Sequence, residues 1–174
     1  MTELMHPPGL PGKALVATKL VTIAEYKTYL QAVGQPVPRL LVRGHSPNGP
    51  ATHVSQVDAA ACCQWLGRQE GHAYRLPSMA ELIALHNAPE ETGAEGWPAL
   101  TTHSNPACDE HGCHCEWTCE TETTPAYEGG EPSVLGSVFY PPWLRPGSSA
   151  IHAQAHLCAT DGFSFVGFRV ASDD

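Results

Sequence analysis

Along the first half of the chain, apolar residues recur at helical spacing behind three similar start signals. Thr22-Ile23-Ala24-Glu25 has the form of a capping box, in which the Thr22 hydroxyl accepts from the Glu25 amide and the Glu25 carboxylate reaches back. Ile23, Tyr26, Leu30 and Val33 follow on one face, and Gly34, Pro36 and Pro38 end the segment. Ser55 with Asp58 opens a second helix, with Ala59, Cys62, Cys63 and Leu66 as its apolar face, Trp65 beside it and Gly67 or Gly71 as its stop. Ser78-Met79-Ala80-Glu81 is a third start, followed by Leu82, Ile83 and Leu85. Residues 14–20 and 74–77 read as short extended pieces, and residues 35–51 as a loop.

Beyond His86 the helical period disappears. Short apolar pieces at 116–119, 135–140 and 163–170 alternate with Gly, Pro and Thr, which predicts short strands in a loop-rich second half. No linker separates the halves, so they are expected to share one core. The chain divides into an extended arm, residues 1–12, and a single domain, residues 13–174.

Composition narrows the partners. Eighteen acidic residues against nine basic ones give a net charge of −9, which argues against a nucleic-acid backbone or an anionic membrane, since both call for a basic patch. The first residues carry neither a basic n-region nor an apolar h-region, and no apolar run approaches a membrane span. The expected location is therefore cytoplasmic by default, with a phage particle as the alternative. In a reducing compartment the seven cysteines are expected as thiols or metal ligands rather than a disulfide framework.

Five segments then resemble, in order, the motifs of the formylglycine-generating enzymes, the sulfatase-modifying-factor family. They are Leu20-Val21-Thr22-Ile23-Ala24-Glu25-Tyr26; Val54-Ser55 with Asp58-Ala59 and Cys63-Gln64-Trp65-Leu66; Arg75-Leu76-Pro77-Ser78 with Ala80-Glu81; His111-Gly112 with Glu116-Trp117-Thr118; and Gly167-Phe168-Arg169-Val170. The resemblance runs over residues 19–171 and implies an α+β fold of the C-type-lectin kind, with two or three short helices on small twisted antiparallel sheets and much irregular chain. It also implies a chemistry that this sequence departs from. The family holds copper between two cysteines ahead of Gly-Phe-Arg; here those positions fall near Tyr140 and Arg145, and the region's one cysteine, Cys158, lies farther along. The resemblance further implies a calcium loop, which on this sequence becomes Asp109, Gly112, His114 and Glu116, although Cys113 stands where the family has Asn.

Laid over that loop is a cluster that the family pattern does not contain. His103, Cys108, His111, Cys113, His114, Cys115 and Cys119 fall within 17 residues. The spacing of Cys108, Cys113, Cys115 and Cys119 could close around zinc, copper or an iron–sulfur centre. On one strand, Cys113, Cys115, Trp117 and Cys119 would instead share a face as a packed or disulfide-bonded row. Cys62 and Cys63 are expected in the core. Ahead of Gly167, the residues Phe139, Tyr140, Trp143, His152, His156, Phe163 and Phe165 stand on irregular chain, as the residues of a recognition surface do. Three functions follow: a non-catalytic module binding a protein or glycan, on the scaffold used by phage and retroelement variable proteins; a metal-dependent oxidase whose site has moved to the Cys/His cluster; or a subunit of a larger assembly.

Overall fold

The capping boxes form as their sequences prescribe. In the computed structural model, which describes residues 3–7, 9, 10, 12–43, 46–86, 108, 109, 112, 113, 115–125, 133–140 and 153–173 (backbone alone at 108, 109, 112, 113, 153 and 154), helix α1 spans Ile23–Ala32. The Glu25 amide donates to the Thr22 hydroxyl at 3.2 Å, and the Thr22 amide donates back to the Glu25 carboxylate at 2.8 Å. A single turn, α2 (Arg39–Val42), interrupts the expected loop; Pro38 precedes it, and Leu41, 1% exposed, ties it to the core. Helix α3 (Gln56–Glu70) starts at Ser55, which accepts from the Asp58 amide, and ends at Gly71 in the left-handed conformation, φ 81°. Ser78 and Glu81 cap α4 (Met79–His86) reciprocally.

Two four-stranded sheets carry these helices. The first takes β1 (Leu4–Met5), β2 (Leu15–Ala17), β10 (Ala171–Ser172) and β3 (Tyr74–Arg75), in that order and antiparallel. The supposed arm thus contributes an edge strand, and Leu4 packs on the core. The second sheet runs β8 (Ala153–Cys158), β7 (Ser133–Tyr140), β6 (Cys115–Thr124) and β9 (Val166–Gly167), with β9 parallel to β6. A hairpin of β4 (Cys108–Asp109) and β5 (Gly112–Cys113) precedes β6. The fold is the α+β arrangement of few helices on small sheets that the sequence implies, with β6, at ten residues, much longer than its apolar pattern suggests. Among the described residues no helix is long and apolar enough to cross a membrane.

The strand period of two sorts the second sheet's side chains onto two cores. Cys115, Trp117 and Val138 point to the cluster built with Tyr26, Ala59, Cys62, Cys63 and Phe168. Phe139 points the other way, to Leu82 and Leu85 of α4 and Val16 of the first sheet. The Trp117 indole N–H donates to the Val54 carbonyl at 2.9 Å, so this buried ring leaves no donor unpaired.

Gly67 lies inside α3 with its backbone pressed on the chain that follows. An added Cβ would stand 2.4 Å from the His72 carbonyl oxygen and 2.9 Å from the Tyr74 nitrogen. Ala in place of Gly inside a helix ordinarily stabilises by about 1 kcal/mol. Gly67→Ala is expected to do the opposite and lower unfolding free energy by about 1–3 kcal/mol through overpacking, read from the denaturant midpoint.

Candidate functional site

The chain's centre is an ion pair taken wholly out of water. Glu116 on β6 and Arg169, just after β9, are both 0% exposed. The guanidinium meets the carboxylate with two bonds, Nε to Oε2 at 2.5 Å and Nη2 to Oε1 at 2.7 Å. Its Nη1 donates to the carbonyls of Ala17 and Thr18, at 3.0 and 3.3 Å. Glu116, which the resemblance implies as a calcium ligand, is thus committed to Arg169 through both oxygens. Both of its oxygens face a cation already, and a second cation there would be repelled by Arg169 at close range in a low dielectric. Of the other implied calcium residues, Asp109 and Gly112 are described only as backbone partners in the β4–β5 hairpin, and His114 lies outside the described residues.

Beyond Glu116 the strand breaks register. Trp117 pairs with Val138 and Thr121 with Gly136, so Thr118, Cys119 and Glu120 face Ser137 alone. The buried Gln56 amide spans this bulge, donating to the carbonyls of Thr118 at 2.7 Å and Glu120 at 2.9 Å. The bulge also corrects the expected thiol row. Cys115 is buried beside Trp117, whereas Cys119 is exposed, because the extra residues rotate it out of the alternation. Glu120 turns back to the start of α4, where Oε1 accepts from the Met79 amide at 2.9 Å; its buried Oε2 has no partner among the described residues.

Four of the described thiols are shifted toward the neutral form. Burial pushes Cys62 and Cys115 up to about 12, helped by the negative charges of Glu25 and Glu116 respectively, and raises Cys63 well above the ordinary thiol value. Burial and then Glu120 raise Cys119 as well. A nucleophilic or metal-ready thiolate needs the reverse, a cationic and accessible setting. Cys62 and Cys63 are core residues, as their helical spacing implies. Cys158 on β8 is half-buried, with its sulfur 3.2 Å from the Thr160 hydroxyl. Where the resemblance implies the first copper ligand, Tyr140 ends β7, half-buried against the core and hydrogen-bonded to Cys115. Among the described residues no three His, Cys, Asp or Glu side chains converge on a point. Cys108 and Cys113 are direct partners across the β4–β5 hairpin in backbone register.

The suggested recognition residues separate. Phe139 is fully buried against α4 and belongs to the core, a correction that follows from its place opposite Glu116 on the inward phase of β7. His156 pairs with Ser137, on the same side of the sheet as Phe139, and its Nδ1 lies 3.5 Å from Glu122. Phe163 and Phe165 are on the Trp117 side. Phe163 leans on the Trp117 ring with centroids 6.1 Å apart, and Phe165, 39% exposed, contacts Phe163 at 5.9 Å. Trp143 and His152 lie outside the described residues.

Backbone bonds fix the segment that carries these rings. His53 donates to the Phe163 carbonyl, Val57 to Ala159, and Ala159 to Val134. An added Cβ at Gly162 would stand 2.3 Å from the His53 oxygen, so the segment lies flush against residues 53 and 54. That seam brings in two apolar residues missed in the sequence, Val57 at 56% and Val134 at 46% exposure. Val57 is the residue off the apolar face of α3, which is the one signal that could have pointed to it.

Residues 16–94 match the sulfatase-modifying factor enzyme 1-like domain family. No curated protein matches the chain in sequence. Two solved structures share its fold. PvdO from Pseudomonas aeruginosa superposes with a TM-score of 0.59 at 20% identity, over 91% of this chain and 80% of that one. CarF superposes with a TM-score of 0.57 at 16% identity, over 91% of this chain and 86% of that one.

Three outcomes test this geometry. Glu116→Gln is expected to destabilise by about 3–5 kcal/mol, because it leaves a buried guanidinium without its counter-charge, and chemical denaturation measures it. With iodoacetamide at mildly alkaline pH, native protein should be labelled at Cys158 and not at Cys62, Cys63 or Cys115, all of which should label in urea. A third concerns Arg75, which bonds Glu81 at 2.7 and 2.8 Å and also Asp173. Burial alone would raise Glu81, but the guanidinium and the Ser78 N–H hold it below its ordinary value; Arg75 likewise holds Asp173 down. Carboxylates with depressed folded values contribute stability above their unfolded range and lose it as pH falls. Stability should therefore drop as pH falls below about 4–5, and drop less steeply in Arg75→Met.

Proposed function

We propose that this sulfatase-modifying-factor-like chain is a non-catalytic module that binds a protein or glycan through the seam around Phe165. One observation carries the reading: three of the exposed large apolar side chains, Val57, Val134 and Phe165, border the same backbone-pinned segment. Phe163 beneath Phe165 is braced on Trp117, so the outer ring stands on a rigid base. A rigid, exposed aromatic gives contact area at low entropic cost, as binding hot spots do.

A second reading, a metal-dependent oxidase with a relocated thiolate site, is favoured by the register that sets Cys108 opposite Cys113. Directly opposed strand residues have Cα atoms about 4.5–5.5 Å apart, close enough for two thiolates to share a soft ion. Calcium at the Asp109–Gly112 loop is compatible with either reading.

The experiment is a screen of immobilised glycans and displayed proteins against the wild-type chain, with each hit retested on Phe165→Ala. The expected result is a loss of affinity of about ten-fold or more with an unchanged melting temperature. Copper bound at one per chain, lost in Cys113→Ser and accompanied by oxygen consumption on a cysteine peptide, would replace the binding reading with the oxidase.

A further inference from the structure

Among the described residues, the hairpin of β4 and β5 pairs with neither four-stranded sheet, only with itself. A lone pair of strands is marginally stable in water. Asp109 stands opposite Gly112 and Cys108 opposite Cys113, with Glu110 and His111 between the strands in sequence. A two-residue connection closes most readily with Asn, Asp or Gly at its centre. Glu110 and His111 are none of these, so the sequence of the turn does little to close the hairpin.

The register also decides which kind of pair the two cysteines form. Across a two-residue connection the closing residues can only exchange bonds with each other, so Asp109 and Gly112 are a hydrogen-bonded pair. The two kinds of pair alternate along an antiparallel ladder, and Cys108 with Cys113 is therefore of the non-hydrogen-bonded kind. Such pairs have Cα atoms about 4.5 Å apart and the closer side chains of the two kinds. Disulfides span Cα separations of about 4.4–6.8 Å.

The other cysteines of the cluster do not complete a four-thiol set. Cys115 is buried beside Trp117 and hydrogen-bonded to Tyr140, whereas Cys119 is exposed beyond the break in the β6 register. A structural zinc or an iron–sulfur centre takes four ligands. The opposed pair of Cys108 and Cys113 is complete with two, if its sulfurs bond to each other.

We propose that Cys108 and Cys113 are a reversible dithiol–disulfide site that locks the β4–β5 hairpin. The step is exchange with a small-molecule disulfide. One protein thiolate attacks that disulfide and releases one small thiol; the second protein thiolate attacks the mixed disulfide and releases the other. The protein pair gives up two electrons and two protons, and the small disulfide takes them up as two thiols. The link closes the chain just ahead of β6, where Cys115 and Glu116 begin the central strand. It is independent of the binding reading above, and once formed it leaves neither cysteine as a thiolate for a soft ion.

The test equilibrates the native full chain, with a metal chelator present, in buffers of graded oxidised-to-reduced glutathione ratio, then traps free thiols and maps the linked peptides by mass spectrometry. One link, Cys108 to Cys113, is expected, half-formed at a ratio about ten-fold or more toward the reducing side of that for the same pair in urea. In Cys108→Ser, Cys113 should instead carry glutathione as a mixed disulfide, and Cys108 should do so in Cys113→Ser. Glutathione on both cysteines of the wild type without a link, a link from either to another cysteine, or a midpoint equal to that in urea overturns the proposal. So does a pair that stays reduced at every ratio.

Discussion

The buried pair of Glu116 and Arg169 is the constraint on which the rest of this structure depends. It joins three parts of the chain that are far apart in sequence: the carbonyls at the end of β2, the middle of the molecule at β6, and the closing Gly167–Val170 run. Removing two charges from water costs several kcal/mol each, and attraction offsets that only where geometry is bidentate and the remaining donors are satisfied. Both conditions hold, because the guanidinium's other nitrogen meets two backbone carbonyls. The pair contributes little net stability by such reasoning, yet it penalises any arrangement that leaves one partner alone. It thereby fixes which strand lies beside which.

Around it, polar groups repair what the bulged strand opens. Three residues of β6 against one of β7 would strand backbone carbonyls in the interior, at a cost comparable to a lost hydrogen bond each. Gln56, at the first turn of α3, supplies the donors and ties that helix to the sheet. Gly136 makes room for it: a Cβ there would stand 2.6 Å from the Gln56 amide oxygen. The same bulge decides the fate of the cysteines, with Cys115 sealed beside Trp117 and Cys119 turned to solvent. Low dielectric around the sealed thiols favours their neutral form.

Among the described residues, the exposed large apolar side chains are Val57, Val134 and Phe165 along one seam, and Leu40 and Val42 on α2 with Val33 just after α1. The seam has aromatic rings braced from below, with Phe163 resting on Trp117.

How much was legible in the sequence follows from how far each signal reaches. The helix starts at Thr22, Ser55 and Ser78, the stop at Gly34, and the core thiols Cys62 and Cys63 were readable, because capping and helical period act within four residues; between Gly67 and Gly71 only the structure chose. The ordered motifs likewise specified the fold. The arm's strand, the turn at Arg39–Val42 and the length of β6 were not readable, since each is stabilised by partners tens of residues away. Phe139 looked like a recognition residue, and only the register of β6 on β7 sends it inward beside Glu116. Local chemistry by itself determined where elements begin and which residues are apolar. Tertiary structure alone decided which acid meets Arg169, which cysteine meets water and which aromatic stays outside, because burial is set by what the rest of the chain places over a residue.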